Sequence, residues 1–148
     1  MGSQSDIEIV RRVLEQGFGG GDLSVVDEHV AADFIEHQAG ADGRAPEGRG
    51  PEAVKGTIRG LHGSFTDMRF IIDDIVEVGD KVWVRARARA VNTKPIMGRP
   101  GTGKDIEIDV IDVIRMRDGK LAEHWGVADR LGMMQQLGLV PRPERRAA

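Results

Sequence analysis

Apolar residues recur at helical spacing from Asp6 to Phe18, at Ile7, Val10, Val13 or Leu14, and Phe18, and the pattern stops at Gly19, Gly20 and Gly21. The spacing predicts an amphipathic first helix. Asp22 is placed to cap a short second helix reaching about His29, and Asp33, Phe34, Ile35, Glu36 and His37 read as the opening of a strand. From Gln38 to Gly50 the chain is rich in Gly, Ala, Pro and charge, the composition of a mobile surface loop. Pro51 then takes an early position in a third helix whose buried stripe is Val54, Ile58, Leu61 and Phe65.

Further along, the period changes from helical to alternating. Met68 to Val78 and Lys81 to Val91 alternate around a Gly79-Asp80 turn and predict a hairpin. A loop with Pro95, Gly98, Pro100, Gly101 and Gly103 leads to a second hairpin, Lys104 to Arg117 and Lys120 to Ala128, turned by Asp118-Gly119. Asp129 to Leu137 suits a last helical turn or two, and the Pro- and Arg-rich segment from Pro141 to Arg146 a frayed tail. Three helices followed by four long strands predict an α+β fold, one strongly curved antiparallel sheet with helices on one face. A single domain over about 5–138 with a tail over 139–148 accounts for the whole pattern.

A chain of 148 residues suffices for one domain that buries roughly 70% of its extended-chain surface. With 24 acidic and 21 basic side chains the formal charge is −3, which offers no broad attraction for phosphate backbones and predicts no nucleic-acid partner. Arg85, Arg87 and Arg89 alternate with alanines as the solvated face of one strand. The absence of cysteine excludes disulfides, thiolate nucleophiles and cysteine-based zinc sites. No apolar run approaches the roughly 20 residues of a membrane span, and Met1 to Asp6 lacks the pattern of a secretory signal, so a cytoplasmic location is expected.

Few local motifs carry chemistry. Gly98 to Asp105 resembles a phosphate loop, but Asp105 follows Lys104 where a magnesium-binding Ser or Thr belongs, and the segment lies between two strands. Asp112 is the anomaly. It falls within the apolar row Ile106, Ile108, Val110, Ile114 and Met116, where a carboxylate must be paired, hydrogen-bonded or protonated. It reads either as a structural ion pair with an arginine or as a proton-transfer group. His124 lies on the opposite strand face from Trp125 and Asp129 unless a bulge near Gly126 changes the phase. His37, Asp112, His124 and Asp129 all sit near element ends that can converge on one pocket, and imidazole titrates near neutral pH. None of the four has the short helical spacing of a zinc site, so no metal is expected. His29 and His62 read as surface or packing residues, and Met97, Met116, Met133 and Met134 as cavity or core fillers.

Asp33 to His37, Gly98 to Lys104, Arg115 to Lys120 and above all the phrase from Glu123 to Gly138 together resemble the SnoaL-like polyketide cyclases, over about Asp6 to Gly138. The resemblance implies a cone of the nuclear-transport-factor-two-like type: a curved sheet closed by N-terminal helices around a deep apolar pocket, in homodimers or homotetramers. It also implies ring closure in a hydrophobic polyketide methyl ester by intramolecular aldol condensation, in natural-product biosynthesis. The reaction uses no metal or organic cofactor, and an aspartate serves as general acid/base beside a histidine. This chain departs from that pattern: Gly126 stands where the family's aspartate follows the strand histidine by two residues, and Asp112 where a second pocket histidine belongs.

The leading expectation is therefore cyclase or isomerase chemistry with Asp112 as general acid/base, and His37, His124 and Asp129 as partners or alternatives. Trp125, Phe34, Met97 and Phe65 are the candidate substrate-binding residues, Trp125 as a wall. Two alternatives stay open. One is an epoxide hydrolase or hydroxylase-type relative, the former built from Asp112, Asp129 and one of Arg85, Arg87 or Arg89; the other is a non-catalytic ligand-binding or dimerisation protein.

Overall fold

The computed structural model describes residues 4–40, 43, 44, 46 and 48–147. Helix α1 (Asp6–Arg12) opens with a capping box: Ser5 Oγ accepts from Glu8 N, and Ser5 N donates to Glu8 Oε2. It widens directly into a π-helical segment, Val13–Gly19, as the glycine-rich stretch is reached. Ile9, Val10, Val13 and Leu14 from these turns are all buried. Helix α2 (Ser24–His29) is short, and Asp22 accepts from the Ser24 amide and hydroxyl just before it. Helix α3 runs Pro51–His62 and ends at Gly63, so Phe65 leaves the predicted helical stripe and instead opens a strand.

Strands β1 (Val30–Glu36), β2 (Phe65–Val78), β3 (Lys81–Asn92), β4 (Asp105–Arg117) and β5 (Lys120–Ala128) form one sheet in the order β1-β5-β4-β3-β2. The two expected hairpins are both present. The strand opening read at Asp33 to His37 is β1, which starts earlier, as soon as α2 ends, and joins the sheet as a fifth, edge strand parallel to β5, while all other pairs are antiparallel. A register shift falls opposite the turn-proximal part of β5, between Arg115 and Met116, rather than near Gly126. Helix α4 (Arg130–Gln136) follows at once, with Asp129 Oδ1 accepting from Gly132 N. The loop expected from Gln38 to Gly50 lies partly outside the described residues, at 41, 42, 45 and 47.

Alternation divides β3 and β4 cleanly. Val82, Val84, Ala86 and Ala90 on β3 and Ile106, Ile108, Val110, Ile114 and Met116 on β4 face the helices and are buried. All but Ile108 and Val110 belong to two apolar clusters: one with α1, the π-helical segment, α2, Phe34 and Ile58, the other with Phe65, Ala90, Ile106 and Leu137. On the opposite face Arg87 is held by Asp73 and Glu107 at 2.8–2.9 Å, the solvated arginine face expected for β3. Pairing between β4 and β5 ends at Val110↔Ala128, and α4 covers the remaining edge. There the Gln136 carboxamide accepts from Glu107 N and donates to Glu107 O, at 2.8 and 2.9 Å. Among the described residues no helix is long and apolar enough to cross a membrane.

The joint between β1 and α3 depends on Gly50. Its N–H donates to Phe34 O at 2.9 Å, and its backbone sits at φ 72, ψ −159, a region essentially reserved for glycine. A Cβ there would stand 2.4 Å from Ala32 O, a backbone atom that cannot swing away. Gly50→Ala is expected to destabilise the fold by about 2 kcal/mol or more, read from urea denaturation; a change within ~0.5 kcal/mol would contradict this account.

Candidate active site

Three strands bring three ionisable side chains together on the helix-facing side of the sheet. Asp112 is opposite Gly126 across the β4–β5 ladder, and His124 is opposite Ile114, whose side chain is in the core. On the other side of β5, Glu36 is the parallel partner of His124. Glu36 Oε1 lies 2.6 Å from His124 Nδ1, and Asp112 Oδ1 lies 2.7 Å from His124 Nε2. All three side chains are largely shielded from solvent, Asp112 most of all. With both ring nitrogens facing carboxylates, the imidazole is favoured in its charged form, donating from each nitrogen. Burial alone would lower its pKa, but the hydrogen bonds to Asp112 and Glu36 outweigh that effect and raise it to about 9.

Gly126 adjoins this triad on the cavity side. A Cβ at that position would meet Gln38 Oε1 at 2.2 Å, Asp112 Oδ1 at 2.6 Å and His124 Cε1 at 2.9 Å. The missing side chain is what lets these groups approach. A cavity of about 210 Å³ begins here, lined by Gln38, Ala39, Gly126, Val127, Ala128 and Arg130. Arg130 reaches back from α4 and donates to the carbonyls of Ala39 and Gly40, tying down the chain that follows β1. A larger groove of about 440 Å³ is open and largely charged, lies at the Val91–Asp105 end of the β3–β4 ladder and includes Arg69, Arg89 and Glu107.

Of the four predicted catalytic residues, the structure brings Asp112 and His124 together. Asp112 is paired with this histidine rather than with an arginine. His37 points to the outer face, where Nε2 lies 2.8 Å from Glu123 Oε2 and the ring stacks on Trp125 with centroids 4.8 Å apart. His37 and Arg115, which also bonds Glu123, hold that carboxyl below its usual range. Asp129 is exposed at the start of α4. Trp125 therefore lies across the sheet from Asp112, Phe34 and Phe65 are buried in the two clusters, and Met97 is exposed in the β3–β4 loop. None of these four lines the cavity at Gly126. Arg85, Arg87 and Arg89 project from the face opposite Asp112, so the carboxylate-and-arginine set of an epoxide hydrolase does not assemble from them. His62 Nε2 lies 2.8 Å from Phe18 O, and His29 is buried, which pushes its pKa down. Among the described residues no group of three or more His, Asp or Glu is arranged to hold a metal ion.

Glu36 is the member that sequence reading missed. Its signal was present: Phe34 is a core residue, and alternation along β1 then puts Glu36 inward and His37 outward.

A curved sheet packed with helices, with a buried carboxylate–imidazole cluster next to a cavity, is an architecture this chain shares with known cyclases. The model of the SnoaL-like polyketide cyclases matches residues 8–137. The aklanonic acid methyl ester cyclase DnrD of Streptomyces peucetius is 31% identical over 143 residues, covering 95% of this chain and 96% of the relative. Among solved structures, IdmH of Streptomyces antibioticus superposes with a TM-score of 0.79 at 30% identity, over 91% of this chain and 99% of that one. TsrD of Streptomyces laurentii gives 0.81 at 26% identity, over 95% and 100%. The chain belongs to the SnoaL-like polyketide cyclase family.

The folded-state pKa of His124 lies above the free value of 6.5, so the stability it contributes is complete below about pH 6.5 and lost as pH rises to about 9. Urea denaturation should show a fall of about 3 kcal/mol across that interval. His124→Gln should flatten it; an equal fall in the variant would show that another group is responsible.

Proposed function

We propose that this chain closes a ring in a hydrophobic, polyketide-derived ester by an intramolecular aldol reaction, with Asp112 as general base and then general acid. The observation that carries this reading is the buried Asp112 carboxyl, hydrogen-bonded at 2.7 Å to His124 and adjoining a cavity at Gly126. Asp112 removes a proton from a carbon flanked by two carbonyls. The resulting enolate carbon attacks a ketone within the same molecule, forming one C–C bond while the C=O π pair moves to oxygen. Asp112 returns its proton to that alkoxide. Substrate and product are isomers, so the step consumes no cofactor.

In this scheme His124 and Glu36 work as a unit. The imidazolium offsets the negative charge that moves from Asp112 to the enolate, in a site shielded from water where such a charge acts strongly. Glu36 keeps the ring oriented and protonated. Proton transfer by a positioned carboxylate contributes about 10²–10⁴ in rate, and holding the chain in a reactive fold supplies a comparable or larger factor. The cavity of about 210 Å³ suits the reacting end of such a molecule, with the remainder extending past Gln38 and Ala39. The name of DnrD supports a methyl ester as the substrate class.

A homo-oligomer is part of this reading. Val76, Trp83, Val113 and Trp125 are neighbours in one row across four strands, and Ile111 and Val127 stand in the next, on a face that is otherwise charged. All but Val113 are exposed, and a contiguous apolar row of this kind supports contact with a second copy.

With aklanonic acid methyl ester as probe, Asp112→Asn should cut turnover by about 100-fold or more while the circular dichroism spectrum is unchanged. Full turnover by the variant would remove Asp112 from the mechanism, and tight binding without turnover by the wild type would favour a carrier. Sedimentation should show that Trp83→Asp combined with Val127→Asp converts an oligomer to monomer; a wild type that already sediments as a monomer would end this part.

A further inference from the structure

The space that Gly126 leaves is occupied by one group the scheme above does not use. Gln38 Oε1 lies where a side chain at Gly126 would begin, next to Asp112 Oδ1 and His124 Cε1, and Gln38 lines the cavity. Its backbone is fixed from both sides. Gln38 N donates at 2.9 Å to Glu36 Oε1, the same oxygen that holds His124, and Arg130 clamps the carbonyls of the next two residues. Among the described residues no hydrogen bond engages its carboxamide. A fixed backbone, a carboxamide without a partner among the described residues and a glycine that makes room for it bring this side chain beside Asp112; its oxygen faces the space here, and a half-turn of the terminal carboxamide presents the two N–H donors there instead.

We propose that Gln38 is a catalytic residue that donates a hydrogen bond to a ketone or enolate oxygen of the substrate while Asp112 moves the proton. The inference rests on the ring-closing reading above. Asp112 and Glu36 are anionic acceptors and both His124 N–H groups are taken, so the triad has no donor left for a developing oxyanion. Gln38 supplies that donor without adding charge. The same placement makes Gly126 a requirement of the site, since even a methyl group would displace the carboxamide.

The test uses Gln38→Leu and Gln38→Glu beside Asp112→Asn, with aklanonic acid methyl ester as probe. Both Gln38 variants should lose about 100-fold in kcat at neutral pH, the usual effect of removing an oxyanion donor, and in Gln38→Leu the melting temperature and the acid limb of the pH profile should be unchanged. The side-chain amide resonances of Gln38 should shift when the ester is added to Asp112→Asn. Wild-type kcat in Gln38→Leu overturns the proposal. So does a rate loss in Gln38→Leu that is restored at another pH, because Gln38 would then be tuning Asp112 instead of touching substrate. A wild type that neither binds nor converts the ester ends both readings. Full turnover by Asp112→Asn together with loss in Gln38→Leu ends only the general-base assignment.

Discussion

The structure turns on a cation shared between two carboxylates. Glu36, His124 and Asp112 come from the end of β1, the middle of β5 and the middle of β4, and their contacts fix three strands relative to one another on the buried side of the sheet. Two carboxylates this close and this shielded would repel without the imidazolium between them. Breaking a buried pair by removing one partner typically costs 3–5 kcal/mol, because the remaining charge keeps its desolvation penalty and loses its compensation. The edge strand gains most from this arrangement. β1 is short and pairs on one side only, and its Glu36 provides an anchor that backbone pairing alone does not supply.

The sheet separates two kinds of chemistry. Towards the helices, the strands present aliphatic side chains interrupted by Asp112 and His124. Away from them, Arg87 joins Asp73 and Glu107, while His37, Glu123 and Arg115 form a chain next to Trp125. A single step along a strand moves a residue from one set to the other. That is why neighbours in sequence such as His37 and Glu36, or Trp125 and His124, have no common task.

Strand alternation carried most of the fold into the sequence: both hairpins, their turns and the solvated arginine row could be read from period two alone. Asp112 was conspicuous for the same reason, as a carboxylate in an aliphatic row. The harder features are those that depend on partners far away in the chain. The parallel pairing of β1 with β5 joins positions 88 apart, as the His124–Glu36 contact shows, and no local pattern marks it. Assigning His37 to the site relied on residue type and not on its phase relative to Phe34. Phe65 fitted helical spacing after Leu61, but Gly63 ended the helix first. Gly126 leaves a space beside Asp112, and nothing local in the sequence shows that Gln38 reaches into it.

The amide of Gln136 has a consequence beyond holding α4 in place. Residues 105–109 of β4 have no strand beside them on the β5 side, and an exposed strip of backbone donors and acceptors invites another polypeptide to add itself. A carboxamide has the same donor and acceptor as a peptide unit, and Gln136 gives both to Glu107. One side chain thus imitates a neighbouring strand at the point where the sheet runs out, and protects the protein against templated aggregation there.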